Sequence, residues 1–184
     1  MSLKELKSGG PMNSNKEINS HMEKQDPYSV ETLFVTYKTA IYQFVYRYCQ
    51  DEQMSFDLVQ DTFIRFSKYR EHFDEKKSSM KTYLFRMAYQ LMINRLNKRN
   101  RMKKLLPFLY IQNQRDNVST EDKLTVQAAI QQLPAEQRAV ILLTYYHDLT
   151  QKEISEILGI PLGTVKSRLH ASLKKLRKML EVGE

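Results

Sequence analysis

The segment from Thr150 to Leu169, TQKEISEILGIPLGTVKSRL, constrains the fold of this chain more than any other. Thr150 and Glu153 have the T-x-x-E spacing of a capping box, which marks a helix start. Ile154, Ile157 and Leu158 then recur at helical intervals. Gly159 can take the left-handed conformation that closes a helix, and Pro161 fits the first turn of the next. Two helices joined by so tight a turn form a helix-turn-helix, the device that lays its second helix in a DNA major groove.

That second helix sorts its residues by side. Leu162, Val165, Leu169, Leu173, Leu176 and Leu180 fall on one apolar stripe. Opposite lie Thr164, Ser167, His170, Ala171, Lys174 and Lys178, flanked by Lys166, Arg168, Lys175 and Arg177. No acidic residue interrupts the span from Ile157 to Leu180. An ordinary solvated face mixes signs. An all-cationic face directly after a capped helix and a Gly-x-Pro turn points to DNA contact.

At Leu133-Pro134, Gln137-Arg138, Thr150 to Ile154, Leu158 to Pro161 and Gly163 to Leu169 the chain resembles region 4 of the extracytoplasmic-function sigma factors. These are small alternative initiation subunits of bacterial RNA polymerase. The stretch Asp57 to Phe66, DLVQDTFIRF, is similar to the family's region 2.2, and Lys81 to Ala88 to its regions 2.3 and 2.4. Phe34, Tyr37, Ile41, Phe44, Val45 and Tyr48 give the aromatic-rich helix of region 2.1. The resemblance runs from about Tyr28 to Leu180, in the family's order.

The resemblance implies an all-α chain of two small helical domains. It implies an alternative sigma factor that binds core RNA polymerase and directs promoter-specific initiation, needing no cofactor. Region 2 would dock on the β′ clamp helices through Asp57, Gln60 and Asp61, with Phe63 as an apolar anchor or a core residue. A base leaving the promoter −10 stack would be captured by Lys77, Ser78, Ser79 and Gln90. Asn94, Arg95, Lys98 and Arg99 would contact adjacent bases or phosphates. Region 4 would contact the β flap and read the −35 element through Thr164, Lys166, Ser167, Arg168, His170, Ala171 and Lys174. An anti-sigma factor, often membrane-bound, would hold such a protein inactive. The chain departs from the family pattern at Tyr83, where Trp is usual, and at Gln90 and Asn94, where Asn and Asp are usual. Ala171-Ser172-Leu173 replaces an R-A-R run.

Composition fits this reading. The 184 residues carry a net charge of +8, an excess that suits a polyanionic partner. The charge is segregated: Arg95, Lys98, Arg99, Arg101, Lys103 and Lys104 form an acid-free cluster, whereas Asp51, Glu52, Asp57 and Asp61 gather elsewhere. A lone cysteine, Cys49, is read as a buried reduced thiol, which with the lack of a signal-peptide pattern points to the cytoplasm. No apolar run approaches a membrane span; the longest, Ala139 to Tyr146, reads as a buried helix. His21, His72, His147 and His170 are scattered without metal-ligand spacing, and no phosphate loop is present. Asp57 and Asp61 share a helix face as an acid pair would, but without a cleft, nucleophile or metal ligand they read as a binding surface.

Four segments are expected. Residues 1–26 form a polar extension without periodicity, expected to be disordered. Residues 27–104 form the first domain, with Asp26-Pro27 opening its first helix, Ser55 capping the second, and Leu84, Ala88 and Leu91 on the core side of the third. Residues 105–119 join the halves; their apolar run Leu105 to Ile111 is either a short packed helix or a surface covered by a partner. Residues 120–184 form the second domain, opened by Ser119-x-x-Asp122. Two other readings compete. A polymerase-independent HTH repressor or activator would leave the acidic helix unexplained, and a protein-contact adaptor would not need the cationic face.

Overall fold

The computed structural model describes residues 26–105 and 126–181. Most of the expected N-terminal extension, the apolar run beyond Leu105 and the Ser119 start signal lie outside the described residues. Those described form seven α-helices and one short 3-10 turn, with no strand among them.

Three helices build the first half: α1 (Val30–Cys49), α2 (Glu52–Tyr69) and α3 (Met80–Leu105), with the 3-10 turn Arg70–His72 after α2. Ile41, Phe44 and Val45 from α1, Leu58 and Phe66 from α2, and Leu84, Phe85, Ala88 and Met92 from α3 are buried at their centre. Burying one such large apolar side chain contributes roughly 1.5–3 kcal/mol. On α3 the inner side thus includes Phe85 and Met92, while Leu91 is only half-buried. The expected caps also move. Ser29, not Asp26, caps α1, its hydroxyl accepting from the Thr32 N–H at 3.1 Å. Asp26 instead closes the preceding turn through the Tyr28 N–H. Asp51, not Ser55, caps α2, accepting from the Met54 N–H at 3.0 Å. Ser55 is buried inside the helix and donates to the Asp51 carbonyl.

The second half comprises α4 (Val126–Gln132), α5 (Ala135–Tyr145), α6 (Gln151–Leu158) and α7 (Leu162–Glu181). Ala139 to Leu143 of α5 are all buried, because α1 and α7 both pack on this helix. The α6–α7 pair is the expected helix-turn-helix. Both hydrogen bonds of the Thr150–Glu153 capping box form, and Gly159 takes φ 65°, a conformation without the penalty a side chain would carry there. Pro161 stands just ahead of α7, its carbonyl accepting from Thr164 and Val165. The inner stripe of α7 differs from the leucine pattern. Val165, Ser172 and Leu176 are buried, Leu169 and Leu180 half-buried, and Leu162 and Leu173 exposed. Ser172 tolerates burial because its hydroxyl donates to the Arg168 carbonyl at 2.6 Å, so an apparently polar position turns inward.

The halves pack on each other along α1–α5 and α3–α6. The His147 ring inserts edge-on against Phe44 and Phe85, 5.8 and 4.9 Å between centroids. Arg138 donates to the Tyr48 carbonyl at 2.9 Å and to the Gln131 and Leu133 carbonyls of its own half. Gln131 donates to the Arg47 carbonyl, and the Arg47 guanidinium lies over the Tyr146 ring at 4.2 Å.

Candidate nucleic-acid interface

On α7, Lys166, Ser167, His170, Lys174, Lys175 and Lys178 are exposed, whereas Thr164 and Ala171 are half-buried. Arg168 turns away from this face and pairs with Glu136 of α5 at 2.5 Å. It therefore fixes α7 on its scaffold. The exposed remainder is a cationic ridge with short polar groups near its N-terminal end, the part of a recognition helix that meets base edges.

The second surface lies on α3. Gln90 lines a cavity of about 290 Å³ with Arg65, Tyr69, His72, Tyr83, Arg86 and Met87. Tyr83 is held there by Phe66 and Phe73, at 6.4 and 5.3 Å between ring centroids. Aromatic faces, two guanidinium groups and an amide offer stacking, phosphate contact and edge hydrogen bonds to an unstacked base. Sequence reasoning picked out Gln90 but not its neighbours. The i, i+4 spacings of Arg65 with Tyr69 and of Arg86 with Gln90 are the signal that could have found them.

The loop before α3 is placed differently. Lys77 pairs with Asp74 at 3.1 Å. The hydrogen bond from that ammonium, the Lys76 N–H and the Lys77 charge hold the Asp74 carboxyl below its ordinary value. Ser79 caps α3 through the Thr82 N–H, and Ser78 donates to the Glu156 carboxylate of α6 at 3.3 Å. The buried Thr82 hydroxyl donates to Glu153 at 3.2 Å, and Lys81 Nζ to the His147 carbonyl at 2.5 Å. Burial alone would raise the Glu153 carboxyl; hydrogen bonds from Thr150 and Thr82 outweigh it and lower the carboxyl instead. Ser78 and Thr82 thus face acidic groups of the helix-turn-helix.

The structure also joins residues that the sequence reading gave to different partners. Arg95 bridges Asp57 at 3.2 Å and Asp61 at 2.9 Å, and Arg99 pairs with Asp51 at 3.0 Å. These half-exposed pairs staple α3 to α2, each contributing up to about 1 kcal/mol. Lys98 is exposed. Gln60 is exposed beside an apolar groove of about 360 Å³ lined by Phe34, Tyr42, Phe56 and Val59. Phe63 is a core residue, buried against the Phe34 ring at 5.0 Å. Among the described residues no group of His, Cys, Asp and Glu could hold a metal ion, and no helix is long and apolar enough to cross a membrane.

A cationic helix-turn-helix and an aromatic, base-sized cavity stand on one helical frame, an arrangement suited to a DNA-binding regulator. The family model for Sigma-70 region 2 matches residues 33–102, and that for Sigma-70 region 4 matches residues 123–176. The chain is 34% identical over 174 residues to the ECF RNA polymerase sigma factor SigW of Bacillus subtilis, covering 86% of this chain and 92% of that one. It is 30% identical to SigX of the same organism, over 83% and 84% of the two chains. Among solved structures, sigma factor RpoE in its complex with the anti-sigma factor NepR from Bartonella quintana shares the fold, with TM-score 0.70 and 22% identity over 84% of this chain and 98% of that one. The chain belongs to the ECF RNA polymerase sigma factors. Its function is that of an alternative sigma factor, which binds core RNA polymerase and directs initiation at particular promoters.

Proposed function

We propose that residues 27–104 grip core polymerase and the −10 element while residues 120–184 read the −35 element, without catalysis by the chain itself. The observation that carries this reading is the pairing of the exposed Lys166–Lys178 ridge with the Gln90 cavity, two surfaces of different chemistry. The ridge suits duplex; the cavity suits a base that has left the stack. Opening duplex without a nucleotide cofactor requires that binding of the captured strand offset the cost of unstacking. Tyr69, Tyr83 and Gln90 offer that binding, and Arg65 and Arg86 hold the flanking phosphates. Capture by Ser78 and Ser79 requires α6 to withdraw, because the Ser78 hydroxyl is engaged by Glu156.

Asp57, Gln60 and Asp61 form the acidic dock for the β′ clamp helices. Arg95 fixes both carboxylates through their Oδ2 atoms; Gln53 donates to the other oxygen of Asp57, and the Asp61 Oδ1 faces a basic partner. Such complementarity steers docking and sets register. Region 4 meets the β flap. RpoE and CnrH, which share this fold, occur in complexes with the anti-sigma factors NepR and CnrY; an anti-sigma factor, soluble or membrane-bound, would control this chain in the cytoplasm in the same way.

Run-off transcription with purified core polymerase and genomic promoter fragments tests the proposal. Transcripts that start at discrete sites only when the chain is present support it. Chain-independent starts, or DNA binding equally tight without polymerase at palindromic sites, overturn it. Within the ridge, Lys174→Ala should weaken all promoters alike, whereas substitution of a base reader such as Ser167 should shift preference at one −35 position by about 1–3 kcal/mol.

A further inference from the structure

Two apolar features of this chain have no part in reading DNA. One is the groove of about 360 Å³ on α1 and α2, where Phe34, Tyr42, Phe56 and Val59 stand beside the exposed Lys38 and Gln60. Phe56 is 52% exposed there, although it packs on Tyr42 at 4.8 Å, and Tyr42 stacks on Tyr46 at 5.8 Å. The other is the run Leu106-Pro107-Phe108-Leu109-Tyr110-Ile111, which follows α3 directly and lies outside the described residues. Both ends of the segment that holds this run come to one corner of the first half. Arg99 pairs with Asp51 at 3.0 Å, six residues before α3 ends at Leu105. On the far side, Gln127 in the first turn of α4 accepts from Arg47 at 3.1 Å. Arg47 and Asp51 flank the turn between α1 and α2, next to Tyr46. Residues 106–125 thus have an extended reach of about 60 Å to join two points on the same corner. A tether of that kind keeps the run near the groove at an effective concentration of roughly millimolar.

We propose that Phe108 to Ile111 fill the Tyr42–Phe56 groove in the free chain, and that core polymerase must displace them to dock. The inference rests on the acidic dock proposed above, because Gln60 belongs to both surfaces. Exposed apolar surface of this size is ordinarily covered, and the chain's own run is the apolar group tethered closest to it. Pro107 cannot continue α3, since it lacks the N–H and restricts Leu106. From Leu105 the helix leads back about 9 Å to Arg99, and Phe56 follows about 8 Å along α2 from Asp51. Six residues of extended chain cover about 20 Å, which brings Ile111 to the Tyr42–Phe56 end of the groove, with Phe108 nearer Tyr46. From Gln112 to Asn117 the chain is polar, so the apolar contact stops there.

The chain has no tryptophan, so Phe56→Trp places a single emitter in the groove of the full chain. Its emission should be blue-shifted and poorly quenched by acrylamide. Adding Phe108→Ser, Tyr110→Ser and Ile111→Ser together should red-shift the emission and raise quenching severalfold. Val35→Trp, exposed on α1 but not lining the groove, should not respond. A synthetic peptide of residues 105–117, added to the triple-serine chain, should restore the blue shift. With Phe56 intact, the triple-serine chain should bind core polymerase about tenfold more tightly, the gain when a competent form populated one-tenth of the time becomes dominant. Emission indifferent to the serines overturns the seating. A blue shift that follows chain concentration instead gives the groove to a second copy and overturns it as well. Red-shifted emission with unchanged or weaker core binding overturns the displacement. None of these outcomes removes the dock itself, which falls only if Asp61→Arg binds core polymerase as the wild type does.

Discussion

His147 shows what a single buried side chain adds. Burial, together with the Lys81 and Arg47 charges that face it, pushes its imidazole down to about 4 from the ordinary 6.5, against a smaller opposing pull from Asp148. The folded chain therefore holds this ring neutral, and the unfolded chain takes up a proton more readily between those values. Stability from the neutral ring is complete above about pH 6.5 and is lost as pH falls toward 4, to the extent of up to about 3 kcal/mol. Thermal melts across that window should show the loss, and His147→Leu should remove the corresponding pH slope. Nothing in the local sequence marks His147 for this role: it reads as one polar residue after Tyr145-Tyr146, and its partners Phe44 and Phe85 are far away in the chain. Gln90 was singled out by its place in the family pattern, where Asn is usual, and it lines the cavity beside Tyr83. Gln90→Ala should slow opening of fully paired promoters and relax specificity at one −10 position, with −35 binding intact; fluorescent-base opening assays on premelted and duplex templates separate the two effects.

Among the helices, legibility followed the distance between partners. The Thr150–Glu153 box was readable because both groups lie within one turn and satisfy each other there. Asp26 and Ser55 misled because each sits within four residues of a better cap, and geometry chose Ser29 and Asp51. The α7 stripe was read correctly in period but not at Ser172 and Leu173, since an internal hydroxyl–carbonyl bond let the serine turn inward. The α2–α3 staple was invisible as such: its carboxylates and its two arginines looked like parts of separate sites. Two substitutions pull the roles apart. Arg95→Ala should cost at most about 1–2 kcal/mol for its two half-exposed pairs and leave core-polymerase binding largely intact. Asp61→Arg should lower that binding sharply while helical circular dichroism stays unchanged. If the two variants bind core polymerase equally well, the acidic dock is wrongly assigned.

For the whole molecule, the order of the helices and the helix-turn-helix were legible, but the packing of one half on the other was not. Contacts such as Thr82 with Glu153 join residues 71 positions apart, one from each half, and no local pattern encodes them. The arrangement sets α6 against the loop before α3. Glu156→Ala should therefore raise the affinity of the free chain for single-stranded −10 DNA severalfold, measured by fluorescence anisotropy; an unchanged affinity would mean that α6 does not compete for the loop. A different consequence follows from Arg138. The last carbonyls of α1 have no partner within their own helix, and at Tyr48 the missing donor is supplied by a guanidinium that belongs to the other half. The first half thus leaves its helix end unfinished until the second arrives. Scanning calorimetry should then record one endotherm for the intact chain, and Arg138→Ala should divide it into two.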